Sequence, residues 1–248
     1  AGSANLVATD NSAVHAAHHM EEQEVDEDWL LGMFTFDDWI WNQMVFSPSY
    51  LDWVMARSSA VPFAYMKSLV QYLQWQDGGR KDRPWVMKGV GYIAHMESLL
   101  ANFPKATILH THRDPLQTIP SWAKFVSAMW TLRSAPVDKH EIGREVMRYW
   151  GMAMDRYLAS RDKLGLDRCI VDARYGDVRE NPMSIVERVY ERAGRKITEP
   201  AYQSMAAWHS NNEQHRFGKH EYSLDEFGLS ETMINERFGD YIKRFIER

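Results

Sequence analysis

The chain has 248 residues, of which 25% are charged, and a formal net charge of -5. This length suits one large domain with a substantial core. The slight acidity excludes a general nucleic-acid binder, whose affinity depends on basic patches. The one cysteine, Cys169, excludes a disulfide framework or a cysteine zinc site. No apolar run is long enough to span a membrane, and the N-terminus does not resemble a secretion signal, so we expect a cytoplasmic protein.

Residues 1–20 are predicted to form an irregular leader, because they are small and polar and show no periodicity. Residues 21–248 contain no internal repeat and no linker, so we expect them to form a single domain. His15, His18 and His19 lie in the leader, but no further ligands follow at metal-binding spacing. We therefore expect no metal.

Apolar residues at helical spacing predict a series of helices along the chain. They cover residues 62–76, 93–100, 115–132, 140–163, 182–194, 201–208 and 230–246. Pro62, Pro115 and Pro182 each stand in the first turn of one of these helices, where proline is tolerated. Asn181 and Gly194 are predicted to cap the two ends of the 182–194 helix.

Three short apolar runs predict buried strands in a parallel sheet, at residues 85–87, 106–109 and 169–171. Lys88 follows the first run and Arg113 follows the second. Because ligands of such sheets bind outside the carboxyl ends of the strands, these two cations predict an anion site. Arg113 can hold a phosphate with two parallel hydrogen bonds, or it can pair locally with Asp114. Ser121, in the helix that follows, can donate a hydroxyl to the same anion.

Several sequence blocks occur in an order that is specific as a set, although any single block also occurs by chance. They lie at residues 48–50, 85–88, 103–106, 110–115, 175–177, 181–182 and 219–225, and Ser121 stands eight positions after Arg113. With these blocks, the chain from about Glu21 onwards resembles the sulfotransferases that use 3′-phosphoadenosine 5′-phosphosulfate (PAPS). The bacterial branch of this family is the most similar.

The resemblance implies an α/β fold with three α/β/α layers, a short parallel sheet and many helices, similar to that of P-loop nucleotide kinases. It also implies an enzyme that moves a sulfuryl group from PAPS to a hydroxyl or amine acceptor by in-line displacement. The acceptor would be a small molecule (an alcohol, carbohydrate, lipid or amine), and the nucleotide product would be 3′-phosphoadenosine 5′-phosphate (PAP). Residues 29–53 and the long helices after Leu132 would form the acceptor pocket.

The same resemblance implies roles for individual residues. Arg113 and Ser121 match the residues that bind the 3′-phosphate. Lys88 matches the lysine beside the reacting centre, where a cation stabilises the departing phosphate oxygen. Tyr175 matches a residue near the adenine, although it can equally be a core residue. A late basic loop, which in the family folds over the nucleotide, is matched by Arg216, Gly218, Lys219 and His220.

Two features depart from the family pattern. The family's phosphate-binding loop, of the Pro-Arg-Ser-Gly-Thr-Thr kind, has no match in the chain. We therefore expect the domain to lack its first strand, either because that segment precedes Ala1 in the encoded protein or because the chain is a remnant that binds PAP without catalysis. The family commonly has a histidine four residues after the lysine, but this chain has Tyr92, a poor base near neutral pH. His95 and His220 are the alternative bases.

A nucleotide-dependent kinase is a further alternative for an α/β site of this kind. The sequence disfavours it, because the Walker lysine and the magnesium ligands of a P-loop kinase are missing. The base of the sulfuryl transfer stays unassigned among His95, His220 and a residue of the missing segment.

Overall fold

The fold is that of a computed structural model, which describes residues 27–28, 30–79, 83–133, 137–212 and 222–247. Its α-helices are α1 (Leu30–Met33), α2 (Trp41–Met44), α3 (Pro48–Ala56), α4 (Ala60–Gln76), α5 (Met96–Asn102), α6 (Pro115–Arg133), α7 (Lys139–Leu164), α8 (Tyr175–Glu180), α9 (Pro182–Arg192), α10 (Glu199–Asn211) and α11 (Glu231–Phe245). Short 3-10 helices cover Val90–His95, Leu166–Arg168 and Asp225–Phe227. The two strands of the described residues are β1 (Ile108–His112) and β2 (Ile170–Arg174).

The two strands form a parallel sheet, in register from Ile108 opposite Ile170 to His112 opposite Arg174. Parallel neighbours need a long crossover connection, and here α6 and α7 lie between them in the chain. The predicted α/β class, with a short parallel sheet in a helix-rich chain, is confirmed. The register brings the carboxyl ends of both strands to one edge of the sheet.

Helix α7 is the longest helix described, and its two ends show why it begins and stops where it does. The Asp138 side chain accepts a hydrogen bond from the Glu141 backbone N–H at 3.0 Å and caps the first turn. Gly165 follows the last residue with a φ of +58°, the left-handed conformation that favours glycine. Within the helix, Gly143 lets the Asp225–Phe227 turn approach, because a Cβ there would lie 2.1 Å from the Phe227 carbonyl oxygen.

Three apolar clusters pack around α7. One joins α6, α7 and α11 through buried residues such as Trp130 and Phe238. A second packs the N-terminal helices on α7, where Trp39 stacks on Tyr149 with ring centroids 5.0 Å apart. The third joins α4 and α5 to the sheet. Trp39 and Tyr149 are therefore core residues.

Most of the predicted helices are confirmed with small shifts of their ends, but one predicted strand is wrong. Residues 85–87 form no strand, and Trp85 and Val86 are 47% and 90% exposed. A strand needs a hydrogen-bonded neighbour, and the described residues provide none beside this segment. Helices α3 and α8 were not expected. The leader lies outside the described residues.

Candidate active site

The site begins where the two strands end. Arg113 is the first residue after β1 and Tyr175 the first after β2. Because the strands are parallel and His112 pairs with Arg174, the two residues emerge side by side. The Arg113 guanidinium lies over the Tyr175 ring, 4.4 Å from its centroid, which is within the range of a cation–π contact. The structure thus brings together two of the residues that the sequence predicts for nucleotide binding.

Two further side chains orient the Arg113 guanidinium. Its Nε donates to Gln117 Oε1 at 3.0 Å, and its Nη2 donates to the Tyr222 hydroxyl at 3.4 Å. Asp114, the alternative partner, instead caps α6 by accepting from the Leu116 backbone N–H at 2.9 Å. Arg113 is therefore held across the sheet edge by residues from three separate parts of the chain.

Gln117 and Tyr222 were not predicted as site residues. Tyr222 lies in the middle of the block 219–225, which was its one sequence signal. Gln117 lies four residues before Ser121 on α6, so the two share one face of the helix. Since Gln117 contacts Arg113, the half-buried Ser121 lies one turn further along the same side.

Lys88 lies in the irregular segment before the Val90–His95 turn, and its side chain is 64% exposed. Its ammonium is paired with the Glu27 carboxylate. Its backbone N–H donates to Asp28 Oδ1 at 2.6 Å. Burial raises the pKa of the Asp28 carboxyl to about 6, although this backbone hydrogen bond opposes the rise. Lys88 therefore contacts two carboxyl groups, and does not lie at the end of a strand as predicted.

Tyr92, which replaces the expected histidine, has a packing role. Its hydroxyl donates to the Met66 sulfur at 3.6 Å, and its ring centroid lies 5.8 Å from that of Phe63. A Cβ at Gly89 would lie 3.1 Å from the Tyr92 ring, so the segment after Lys88 passes close over it.

His95 is the predicted base that lies within the described residues. Its Nδ1 is hydrogen-bonded to the Ser59 hydroxyl at 2.7 Å. Burial, reinforced by the nearby Arg156 charge, lowers the pKa of His95 to about 4. Ser59 and His95 line a cavity of about 20 Å³, which also borders Asp38 and Gly89. This volume fits about one water molecule.

The late basic loop predicted to close over the nucleotide contains Arg216, Gly218, Lys219 and His220. These residues lie outside the described part of the chain, so their predicted roles stay predictions.

A set of possible metal ligands lies behind the sheet edge. His110, His112 and Asp172 place ligand atoms within 4.8 Å of one another. Both oxygens of Asp172, however, accept hydrogen bonds from Arg161, at 2.7 and 2.5 Å. A guanidinium thus occupies the carboxylate that a metal ion would need, and the three residues form an ion-paired network.

Comparison with known proteins decides the family. A model of the sulfotransferase family matches residues 3–199, well over half of the chain. The chain belongs to the sulfotransferase family. The family that the ordered sequence blocks predicted is therefore confirmed. A search of curated proteins found no match to this sulfotransferase chain.

Two solved sulfotransferase structures have the same fold. The sulfotransferase STF9 from Mycobacterium avium superposes with a TM-score of 0.83 at 26% identity, over 93% of this chain and 58% of its own. The sulfotransferase STF1 from Mycobacterium tuberculosis H37Rv gives a TM-score of 0.75 at 24% identity, over 90% of this chain and 57% of its own. The chain therefore spans a little under three fifths of the length of these relatives. None of its described helices is long and apolar enough to cross a membrane.

Proposed function

We propose that this chain carries the nucleotide site of a sulfotransferase that uses PAPS and moves its sulfuryl group to a hydroxyl or amine acceptor. The observation that carries the proposal is the placement of Arg113 at the carboxyl end of β1, over the Tyr175 ring and bonded to Gln117. Ligands of parallel sheets bind at this edge. A guanidinium is suited to a phosphate, because its planar donors match two phosphate oxygens.

The residues around Arg113 fit the 3′-phosphate and adenine end of PAPS. Arg113 would supply the charged fork, and the Ser121 hydroxyl on the same side of α6 would supply a further donor. The Tyr175 ring offers a flat surface for the base, beside the guanidinium that lies 4.4 Å from its centroid. Tyr222 would keep the guanidinium in place from the opposite side. If the basic loop that precedes Tyr222 closes over the nucleotide, Arg216, Gly218 and Lys219 would line it.

Lys88 fits the role of the cation at the reacting end. Its partner Glu27 is 10% exposed, whereas Lys88 is 64% exposed, so the ammonium lies on the solvent side of the pair. A ligand oxygen would have to compete with this carboxylate, which would otherwise be left without its cation. PAPS supplies a sulfuryl group whose bond to the phosphate oxygen breaks as a bond to the acceptor forms, and Lys88 would stabilise the negative charge left on that oxygen.

The acceptor must also lose a proton. His95 is a weak base, since its pKa lies near 4 and its Nδ1 is already bound to Ser59. His220 in the basic loop is the other candidate. The acceptor pocket proposed for residues 29–53 would have to use the outer side of that region, because its inner aromatics pack on α7 as core.

The proposal is tested by transfer of labelled sulfate from PAPS to a panel of alcohols, carbohydrates, lipids and amines. Incorporation into at least one acceptor class, lost in Lys88→Ala, is the expected result. Binding of PAP without transfer to any acceptor would instead identify a PAP-binding remnant. If the chain neither binds PAP nor transfers sulfate to any acceptor, the assignment of the site is contradicted.

A further inference from the structure

The residue before Arg113 is fixed on all sides. His112 is 2% exposed and is hydrogen-bonded through both ring nitrogens. Its Nε2 lies 2.8 Å from Asp172 Oδ1, and its Nδ1 lies 3.0 Å from the Tyr241 hydroxyl. The Phe245 ring stacks on the imidazole at 4.3 Å, with an angle of 6° between the planes. The end of β1 is thus tied to the last helix, α11.

The direction of these hydrogen bonds follows from the charge of Asp172. Burial alone would raise the pKa of this carboxyl, but hydrogen bonds from Arg161 and His112 outweigh it and hold the pKa well below its usual range. Asp172 is therefore an acceptor, and His112 Nε2 donates to it. In the neutral tautomer with the proton on Nε2, Nδ1 accepts the hydroxyl proton of Tyr241.

The Tyr241 hydroxyl holds the residue next to the phosphate-binding arginine. Its 3.0 Å hydrogen bond is to His112, and Arg113 follows His112 directly in the chain. Tyr241 is 3% exposed, so water does not compete for this contact. One hydroxyl therefore ties the end of β1, from which Arg113 emerges, to α11.

The opposite end of the network is anchored in α7. Arg161 is 5% exposed and binds both oxygens of Asp172. It also donates to the Tyr157 hydroxyl at 2.7 Å, and that hydroxyl lies 2.7 Å from His110 Nδ1. A continuous path of hydrogen bonds thus runs from Arg161 on α7, through Asp172 and His112 on the two strands, to the Tyr241 hydroxyl on α11.

We propose that Tyr241 is a positioning residue for the 3′-phosphate site, which holds the backbone at the end of β1 so that the Arg113 guanidinium is aimed at the ligand. The inference rests on the proposed function, because it takes a 3′-phosphate as the ligand of Arg113. Tyr241 itself touches no ligand in this scheme. Its effect is therefore confined to nucleotides that carry a 3′-phosphate.

The test compares two nucleotides and two matched variants. Tyr241→Phe keeps the ring and removes the hydroxyl, and Tyr149→Phe is the control, since the buried Tyr149 hydroxyl has no hydrogen-bond partner in the described part of the chain. Each protein is titrated with PAP and with adenosine 5′-phosphate, which lacks the 3′-phosphate. The preference for PAP is expected to fall about tenfold in Tyr241→Phe and to stay unchanged in Tyr149→Phe.

Two results would overturn the inference: an unchanged preference for PAP in Tyr241→Phe, or an equal loss of affinity for both nucleotides. A wild-type chain that does not distinguish the two nucleotides would contradict the proposed function itself. His112→Phe removes the acceptor for Tyr241 by a different route and serves if Tyr241→Phe does not fold. When both variants fold, the preference of the double variant for PAP is expected to be no lower than that of either single variant, because both substitutions interrupt the same path.

Discussion

The buried Asp38 carboxyl leads to a prediction about how stability depends on pH. Burial raises its pKa from 3.8 to about 6, a rise that the Ile40 backbone N–H opposes and the neighbouring Asp37 reinforces. Asp38 Oδ1 accepts from Ile40 at 3.0 Å. The other oxygen faces Gly32, where an added Cβ would lie 2.4 Å away. Asp38→Asn keeps the acceptor for Ile40 and removes the charge.

The magnitude follows from the pKa. The folded chain binds the Asp38 proton more tightly than the unfolded chain, so the wild type loses stability as the pH rises through the interval between 3.8 and about 6. A rise of about two pKa units corresponds to about 3 kcal/mol once the group is ionised. The side-chain amide of the variant cannot ionise. The free energy of unfolding of Asp38→Asn minus that of wild type is therefore expected to increase by about 2–3 kcal/mol when the pH is raised from about 4 to about 8.

Urea unfolding of both proteins at the two pH values measures this gain directly, because contributions shared by the two proteins cancel at each pH. Asp240→Asn, on the exposed face of α11, is the control and is expected to change the free energy of unfolding by less than about 0.5 kcal/mol at either pH. The reasoning is refuted if Asp38→Asn differs from wild type by the same amount at both pH values.

Three further substitutions test other parts of the structure. Lys88→Ala should lower the rate of sulfuryl transfer by roughly 100-fold or more in steady-state assays, with a smaller loss of PAP affinity, because PAP carries the phosphate oxygen that Lys88 would stabilise; a larger loss of binding than of rate would contradict its role. Arg161→Met removes the guanidinium from the half-buried Asp172, which keeps only its hydrogen bond from His112, and should lower the free energy of unfolding in urea by about 2–3 kcal/mol; a change below about 1 kcal/mol would refute the importance of this ion pair. Gly143→Ala pushes the Phe227 carbonyl from α7 and should lower the melting temperature; an unchanged melting temperature would contradict the close contact.

The helices were predictable because their signals are local. Pro115 and Pro182 mark first turns, and Asn181 caps α9 by accepting from the Ser184 backbone N–H at 3.2 Å. The segment 85–87 shows the limit of local patterns. An apolar run predicts burial, but a strand forms only where another strand offers its backbone groups, and that is a property of the tertiary structure.

The candidate site was predictable in part for the same reason. Arg113 and Tyr175 each follow a strand, and parallel pairing then brings them together. Tyr222 lies 109 positions from Arg113, and its contact depends on how the C-terminal part of the chain folds back over the sheet. The apolar spacing of α11 marked Tyr241 only as a core residue. Its hydrogen bond to His112 joins residues 129 positions apart, which no local pattern encodes.

The most direct test of the assignment is a calorimetric titration of the chain with PAP. Arg113→Ala removes the charged fork, and Arg83→Ala removes an exposed arginine that pairs with Asp77 on the surface. Wild type and Arg83→Ala are expected to bind PAP equally, and Arg113→Ala is expected to bind roughly 100-fold more weakly. Equal PAP affinity in all three proteins would contradict the assignment of Arg113 to the 3′-phosphate.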